Sequence, residues 1–280
     1  MVAVPVLWIE RVPMSSTPSS HAGWLRIVGL GPGDGTLITP QVHASIADAT
    51  DALGYFPYVE RLQAEGHLST HIRLHASDNR EEIARARHAL QLAASGARVL
   101  MLSSGDPGVF AMAAAVFEAL DTAAEADKNT WLQVSIEVQP GITAMLAAAA
   151  RLGAPLGHDF CAINLSDNLK PWPIIEQRLR LAAQADFAMA FYNPRSQSRP
   201  TGFMRTLDVL RECCEPQRLI AFARNTSRID ERLVVCTLAE ATPEMADMRT
   251  LVIVGSSQTR RIGPHIYTPR SYPELPHSTP

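Results

Sequence analysis

With only four cysteines and 6% aromatic residues in 280, and a net charge of −3, the chain lacks the marks of several protein classes. Cys161, Cys213, Cys214 and Cys236 form no CxxC or Cys/His spacing. Neither a disulfide framework nor a structural zinc site is therefore expected, and the thiols read as reduced. Near-neutral charge offers no global electrostatic pull toward nucleic acid or an anionic membrane. No apolar run approaches the roughly 18 residues that span a bilayer, and the stretch starting at Val2 is cut short by Glu10 and Arg11. A cytoplasmic protein with a small-molecule partner is the resulting expectation. There is no Gly-Lys-Ser/Thr to make a Walker loop, no GxSxG, and no solenoid-length repeat. His67, His71 and His75 have i, i+4 spacing but lie around Gly66 in a stretch of poor helical character, so no metal is expected.

What is present is 46% hydrophobic sequence, enough to bury a sizeable core in two medium domains or one large one. Residues 1–22, rich in Ser, Pro and Thr, read as a flexible extension. A strand over 25–28 enters Gly29-Leu30-Gly31-Pro32-Gly33-Asp34. A helix then starts at Thr39-Pro40, with Thr as N-cap and Pro at the first helical position. Asp78 reads as the cap of a second helix reaching Ala94, stopped by Gly96. A buried strand over 99–102 leads through Ser103-Ser104-Gly105-Asp106-Pro107-Gly108 into an Ala-rich helix over 110–124. A strand is expected over 131–138, then a helix from Pro140-Gly141 to Leu152. The second half predicts strands at 161–165, 187–192, 219–223, 233–237 and 250–254 and helices at 174–185 and 202–214. This alternation is α/β. The expected domains are 23–145 and 146–261, followed by a Pro-rich tail over 262–280.

In open α/β sheets ligands bind beyond the carboxyl ends of strands. The Gly29–Gly33 loop superficially suits a nicotinamide-dependent dehydrogenase, with Asp48 or Asp51 as ribose acid. Against this, Pro32 interrupts the glycine run and the capped helix waits until Pro40, where a pyrophosphate needs a helix N-terminus inside the run. The 103–108 loop, poor for packing, favours close backbone approach to a ligand. Asp106 and Thr143 would either touch that ligand or cap the following helices. After the second-half strands come Ser166-Asp167-Asn168, Tyr192-Asn193-Pro194-Arg195-Ser196 and Arg224-Asn225-Thr226-Ser227-Arg228. Their arginines, with Arg199, Arg260 and Arg261, suit an anionic small substrate carrying several carboxylates. His158-Asp159 sits at the joint between halves.

Read in order, these loops resemble the tetrapyrrole methylase family, S-adenosylmethionine-dependent enzymes that methylate corrin and sirohaem precursors. The general marks are Gly29 to Asp34 with Leu37-Ile38-Thr39-Pro40, Ser104-Gly105-Asp106-Pro107 and Pro140-Gly141-Ile142-Thr143-Ala144. More specific are Gly54-Tyr55-Phe56-Pro57-Tyr58, the run Leu152-Gly153-Ala154-Pro155-Leu156-Gly157-His158-Asp159-Phe160, Leu165-Ser166-Asp167 with Pro171-Trp172, Tyr192-Asn193-Pro194-Arg195-Ser196, and Val254-Gly255-Ser256-Ser257 with Thr259-Arg260. This second set looks like the ring-contracting branch that methylates C-17 of precorrin-3B, or its cobalt form, in cobalamin biosynthesis. The resemblance implies a two-domain class III methyltransferase fold with the active site in the interdomain cleft, in a homodimer. Carried over residue by residue, it implies cofactor contacts at Pro32, Ser104, Gly105, Asp106, Val109, Thr143, Ala144, Asn193 and Asn225. It implies a substrate pocket shaped by Gly54 and Tyr55, with Asp167, Arg195 and Arg228 as further substrate contacts. Tyr55, Asp106 and Ser166 stand as the catalytic candidates, with Asp167 and His158 as further proton carriers. Where sirohaem-type relatives carry an acidic residue after the second strand, this chain carries Tyr55. A non-catalytic tetrapyrrole-binding protein is the remaining alternative.

Overall fold

The computed structural model describes residues 23–78 and 81–271. The expected extension over 1–22 and the last nine residues of the expected tail lie outside them. The first half runs β1 (Trp24–Gly29), α1 (Pro40–Asp48), β2 (Asp51–Tyr55), α2 (Phe56–Ala64), β3 (Arg73–Ser77), α3 (Glu82–Ala94), β4 (Arg98–Ser103), α4 (Met112–Asp121), α5 (Glu125–Trp131) and β5 (Ser135–Gln139). Its five strands form one sheet in the order β3-β2-β4-β1-β5, with β2 parallel to β3 and β4. Val99, Leu100 and Met101 are buried along β4, as a strand covered on both faces requires. Thr39 opens α1 as expected, its Oγ1 accepting a hydrogen bond from the Val42 amide at 3.3 Å.

The second half runs α6 (Ala144–Leu152), β6 (Gly153–Ala154), β7 (Phe160–Asn164), α7 (Trp172–Gln184), β8 (Ala188–Tyr192), α8 (Gly202–Cys213), β9 (Leu219–Arg224), β10 (Arg232–Thr237), β11 (Thr250–Val254), β12 (Arg260–Ile262) and β13 (His265–Tyr267). A second five-stranded sheet has the order β10-β9-β11-β8-β7. It is mixed: β7 and β8 are parallel, whereas β11 lies antiparallel to both β8 and β9. Phe191, Phe203 and Phe222 anchor its core, the last two in edge-to-face contact at 6.0 Å.

The structure corrects several sequence expectations. Asp78 is not the cap of α3: the N-cap is Glu81, and the Asp78 carbonyl instead accepts from Arg85 at 2.5 Å. The helix expected over 110–124 ends at Asp121, and Trp131, expected to start a strand, closes α5 as a buried residue. The acidic first turn of α5 (Glu125, Asp127) favours that helix electrostatically. Helix α2 and strand β3 fall where no element was expected. The expected tail is ordered at its start: β13 pairs with β6, Ile266 is 1% exposed, and Thr268 donates to the Pro155 carbonyl at 2.6 Å. Strand pairing, the buried Ile266 and the Thr268 hydrogen bonds hold this segment despite its proline content.

Division of the chain also differs from the expected boundary at 145/146. Among the described residues, one compact unit comprises 23–27, Ser45–Met101 and Ala113–Glu137; the other comprises Val28–Ala44, Leu102–Met112 and 138–271. The loops after β1 and β4 thus belong with the second unit, because backbone hydrogen bonds and glycine contacts tie them to each other and to the Gly141 turn.

Candidate active site

Three of the loops singled out by sequence meet through their backbones. Gly31 and Gly105 form an antiparallel bridge, the Gly31 amide donating to the Gly105 carbonyl at 3.2 Å and the Gly105 amide returning a bond to Gly31 at 2.8 Å. Both residues have φ of +66°, a conformation that glycine enters without steric cost. A Cβ on Gly29 would lie 2.5 Å from the Gly141 nitrogen, and one on Gly141 would lie 2.3 Å from the Gly105 carbonyl oxygen. The glycines at 29, 105 and 141 therefore serve loop-to-loop contact. Asp106 locks the same junction: Oδ1 accepts from the Gly108 amide at 2.8 Å and Oδ2 from the Gly141 amide at 3.1 Å.

Thr143 does not cap α6 with its side chain. Its Oγ1 lies 2.6 Å from the Tyr192 hydroxyl, which also accepts from the Met145 amide at 3.1 Å. Burial pushes the Tyr192 phenol above its ordinary pKa, against the opposing pull of those two bonds. It remains a neutral phenol at physiological pH. The ring of Phe110, itself left-handed at φ +54°, meets Tyr192 edge-to-face at 5.2 Å. Tyr192 lies outside the site residues expected from the sequence, although it opens the Tyr192-Asn193-Pro194-Arg195-Ser196 motif. Its place at the end of β8, directly before Asn193-Pro194, was the available signal.

Asn193 and Asn225 are both left-handed, at φ +53° and +50°. Such strain in non-glycine residues concentrates at functional sites. The Asn193 amide donates to Asn164 Oδ1 at 3.1 Å, and Asn164 Oδ1 also accepts from the Ser166 amide at 2.9 Å. The Asn225 amide donates to Asp230 at 2.6 Å. Of the substrate candidates, Asp167 lies 3.9 Å from Arg199, and Arg195 donates to the Pro200 and Pro243 carbonyls at 3.3 and 3.5 Å. His158 Nδ1 accepts from the Asp159 amide at 2.7 Å, a local turn bond.

Tyr55 and Gly54 belong to the other compact unit. Tyr55 closes β2 in register with Ser77 and stacks edge-to-face on Tyr58 at 5.4 Å. Ser77 Oγ in turn accepts from the buried Arg85 at 2.7 Å.

The model for tetrapyrrole (corrin/porphyrin) methylases matches residues 25–242. The chain belongs to that family. It is 49% identical over 255 residues to a precorrin-3B C(17)-methyltransferase of a Sinorhizobium species, covering 89% of this chain and 97% of the relative. A crystal structure of the methyltransferase CobJ matches with a TM-score of 0.83 and 58% identity, covering 88% of this chain and all of that one. A uroporphyrin-III C-methyltransferase from Thermus thermophilus, complexed with S-adenosylhomocysteine, shares the fold at a TM-score of 0.62 and 23% identity, over 83% and 97% of the two chains.

For a tetrapyrrole methylase the loops of the second unit offer a suitable donor set. The Ser104 and Thr143 hydroxyls, the Asp106 carboxylate and glycine backbone suit a zwitterionic nucleoside bearing a positive sulfonium. None of the four thiols lies in these loops, and burial pushes that of Cys161 up to about 11, so it would not compete for an electrophilic methyl group. Among the described residues, no helix is long and apolar enough to cross a membrane.

Proposed function

We propose that this chain is an S-adenosylmethionine-dependent methyltransferase that methylates C-17 of precorrin-3B, with the associated ring contraction, in cobalamin biosynthesis. The observation that carries this reading is its 49% identity to a protein of that name across 97% of that protein's length. We further propose that it acts as a homodimer in the cytoplasm.

Bound S-adenosylmethionine would supply an electrophilic methyl group. Transfer to a nucleophilic ring carbon needs in-line placement in a dry site more than acid–base chemistry. The chain's part is thus chiefly positional. Pro32, Ser104, Gly105, Asp106, Val109, Thr143, Ala144, Asn193 and Asn225 would hold the donor. Asp106, with both oxygens accepting backbone amides, would keep the loops in place and leave proton transfer during ring contraction to Tyr55 and Ser166. Gly54, Tyr55, Asp167, Arg195 and Arg228 would meet the substrate. The bridge between Gly31 and Gly105 commits each glycine's amide to the other's carbonyl, which removes two donors that a dinucleotide pyrophosphate would need and weighs against the dehydrogenase reading.

Calorimetry with S-adenosylhomocysteine tests the donor site: micromolar-range binding is expected and its absence would sink the proposal, while thermal protection by NAD would favour the dehydrogenase reading. Mass spectrometry of the product from precorrin-3B tests the rest. One added methyl group is expected. Tetrapyrrole binding without a methylated product would make the chain a non-catalytic binder.

A further inference from the structure

We infer that Arg228 is the anchor for a carboxylate arm of the tetrapyrrole, received in a cavity between the glycine loop, α6 and the turn at 225–231. The inference rests on the methylase reading. The cavity is a groove open to solvent with a volume of about 730 Å³, within the range of small-molecule sites. Four charged residues line it: Asp34, Arg151, Arg228 and Glu231. Three are already engaged. Asp34 Oδ1 accepts from the Thr36 amide and hydroxyl at 2.9 and 2.8 Å. Arg151 and Glu231 pair at 2.7 Å, and Glu231 Oε2 also accepts from the Ser227 amide at 2.7 Å. No hydrogen bond or ion pair joins the Arg228 guanidinium to a described residue.

The surroundings hold this arginine in place without neutralising it. Its stem crosses Gly33 so closely that a Cβ there would lie 2.7 Å from both Cγ and Nε of Arg228. Gly33 has φ +150°, a second reason for glycine at that position. The turn carrying Arg228 is closed by backbone bonds from the Arg228 amide to Asn225 at 3.0 Å and from the Glu231 amide to Arg228 at 3.1 Å. It contains two left-handed non-glycine residues, Asn225 and Ser227. Leu37, Ile142, Leu146 and Ala147 supply apolar wall, suited to the methylene carbons of an acidic arm.

The arginines of the loop after β8 and at the end of β9 are less available. Arg195 and Arg199 donate to backbone carbonyls, and Arg224 pairs with Asp247 at 2.8 Å. A free guanidinium facing a partly apolar cavity is the arrangement that binds a carboxylate through two parallel hydrogen bonds. The cavity adjoins the donor loops through sequence neighbours: Ile142 precedes Thr143, and Ser227 follows Asn225 and Thr226.

Fluorescence titration of the full chain with uroporphyrin I, an eight-carboxylate porphyrin, tests the assignment. Arg228→Gln is compared with Arg87→Gln, which removes the same charge from an exposed position on α3. Arg228→Gln is expected to raise Kd about tenfold and flatten its salt dependence, with Arg228→Lys intermediate. Arg87→Gln is expected to match wild type. Equal affinity of the two glutamine variants, or no porphyrin binding by wild type, overturns the anchor. Calorimetry with S-adenosylhomocysteine separates the two readings: an unchanged Kd in Arg228→Gln is expected, and loss there would reassign Arg228 to the donor. Failure of wild type to bind S-adenosylhomocysteine, with the porphyrin result intact, would sink the methylase reading alone.

Discussion

Tyr192→Phe removes one oxygen atom and two hydrogen bonds. The Met145 amide and Thr143 Oγ1 lose their partner in positions where the parent residues are 8% and 4% exposed. Leaving buried polar groups unsatisfied costs about 1–3 kcal/mol each, and partial relaxation brings the expected total to about 2 kcal/mol. With an unfolding entropy of about 2.1 cal/mol/K per residue, a cooperative chain of 280 residues would lose about 3 °C in Tm. Thr143→Val interrupts the same bond from the other side. The double variant should therefore be less destabilised than the sum of the singles, with a coupling of about 1 kcal/mol. Because Thr143 and the start of α6 are proposed donor contacts, Tyr192→Phe should also weaken S-adenosylhomocysteine binding. Scanning calorimetry and isothermal titration of the four proteins provide the measurement. The phenol stays protonated, so both effects should be flat across neutral pH. An unchanged Tm, or simple additivity of the two substitutions, would refute the view that this hydroxyl ties β8 to α6.

Asp51 provides a pH-dependent test in the other unit. Burial alone would raise its carboxyl pKa, but hydrogen bonds from Arg73, His75 and Thr50 outweigh burial and hold it below the usual carboxylate range. A lowered native pKa contributes stability that is present above the unfolded value of about 3.9 and is lost as pH falls through the native value. Asp51→Asn should be destabilised by about 1–3 kcal/mol at pH 7, and urea unfolding should show the gap to wild type closing below about pH 4. A gap of equal size at acidic and neutral pH would contradict the assignment. Two glycine substitutions separate crowding from backbone strain. Gly66→Ala meets nothing within 4 Å at φ +72°, so only the left-handed penalty of about 1 kcal/mol applies. Gly141→Ala puts a methyl group 2.3 Å from a backbone oxygen and should cost about 3 kcal/mol or more, with weakened S-adenosylhomocysteine binding. Equal Tm losses for the two would show that the loops move apart freely.

The strands of the second sheet were legible to within a residue or two, because each is a short apolar run ended by a polar loop. The run at 250–254, for example, is β11 without change. The same logic located Thr39-Pro40 and the loops bearing Gly31, Asp106 and Thr143. It misplaced the start of the strand expected over 131–138: Trp131 closes a helix, and the strand runs Ser135–Gln139. It failed beyond residue 262, where prolines masked a paired strand with a buried isoleucine. Alternation and composition are local, whereas the burial that decided both cases is not.

The sequence by itself determined the α/β alternation and the chemistry of the loops, since periodicity, glycine and proline act within a few residues. The motif order carried the family resemblance as well. Only the tertiary structure decided what those residues do to one another. It turned the apparent nucleotide cradle into a backbone bridge between Gly31 and Gly105, made Asp106 a lock on two amides, and promoted Tyr192 from a motif letter to the tie between β8 and α6. It also distinguished Arg228 from the engaged arginines of the same unit. These outcomes depend on contacts between segments tens to more than a hundred positions apart, and no short-range pattern records which donor finds which acceptor.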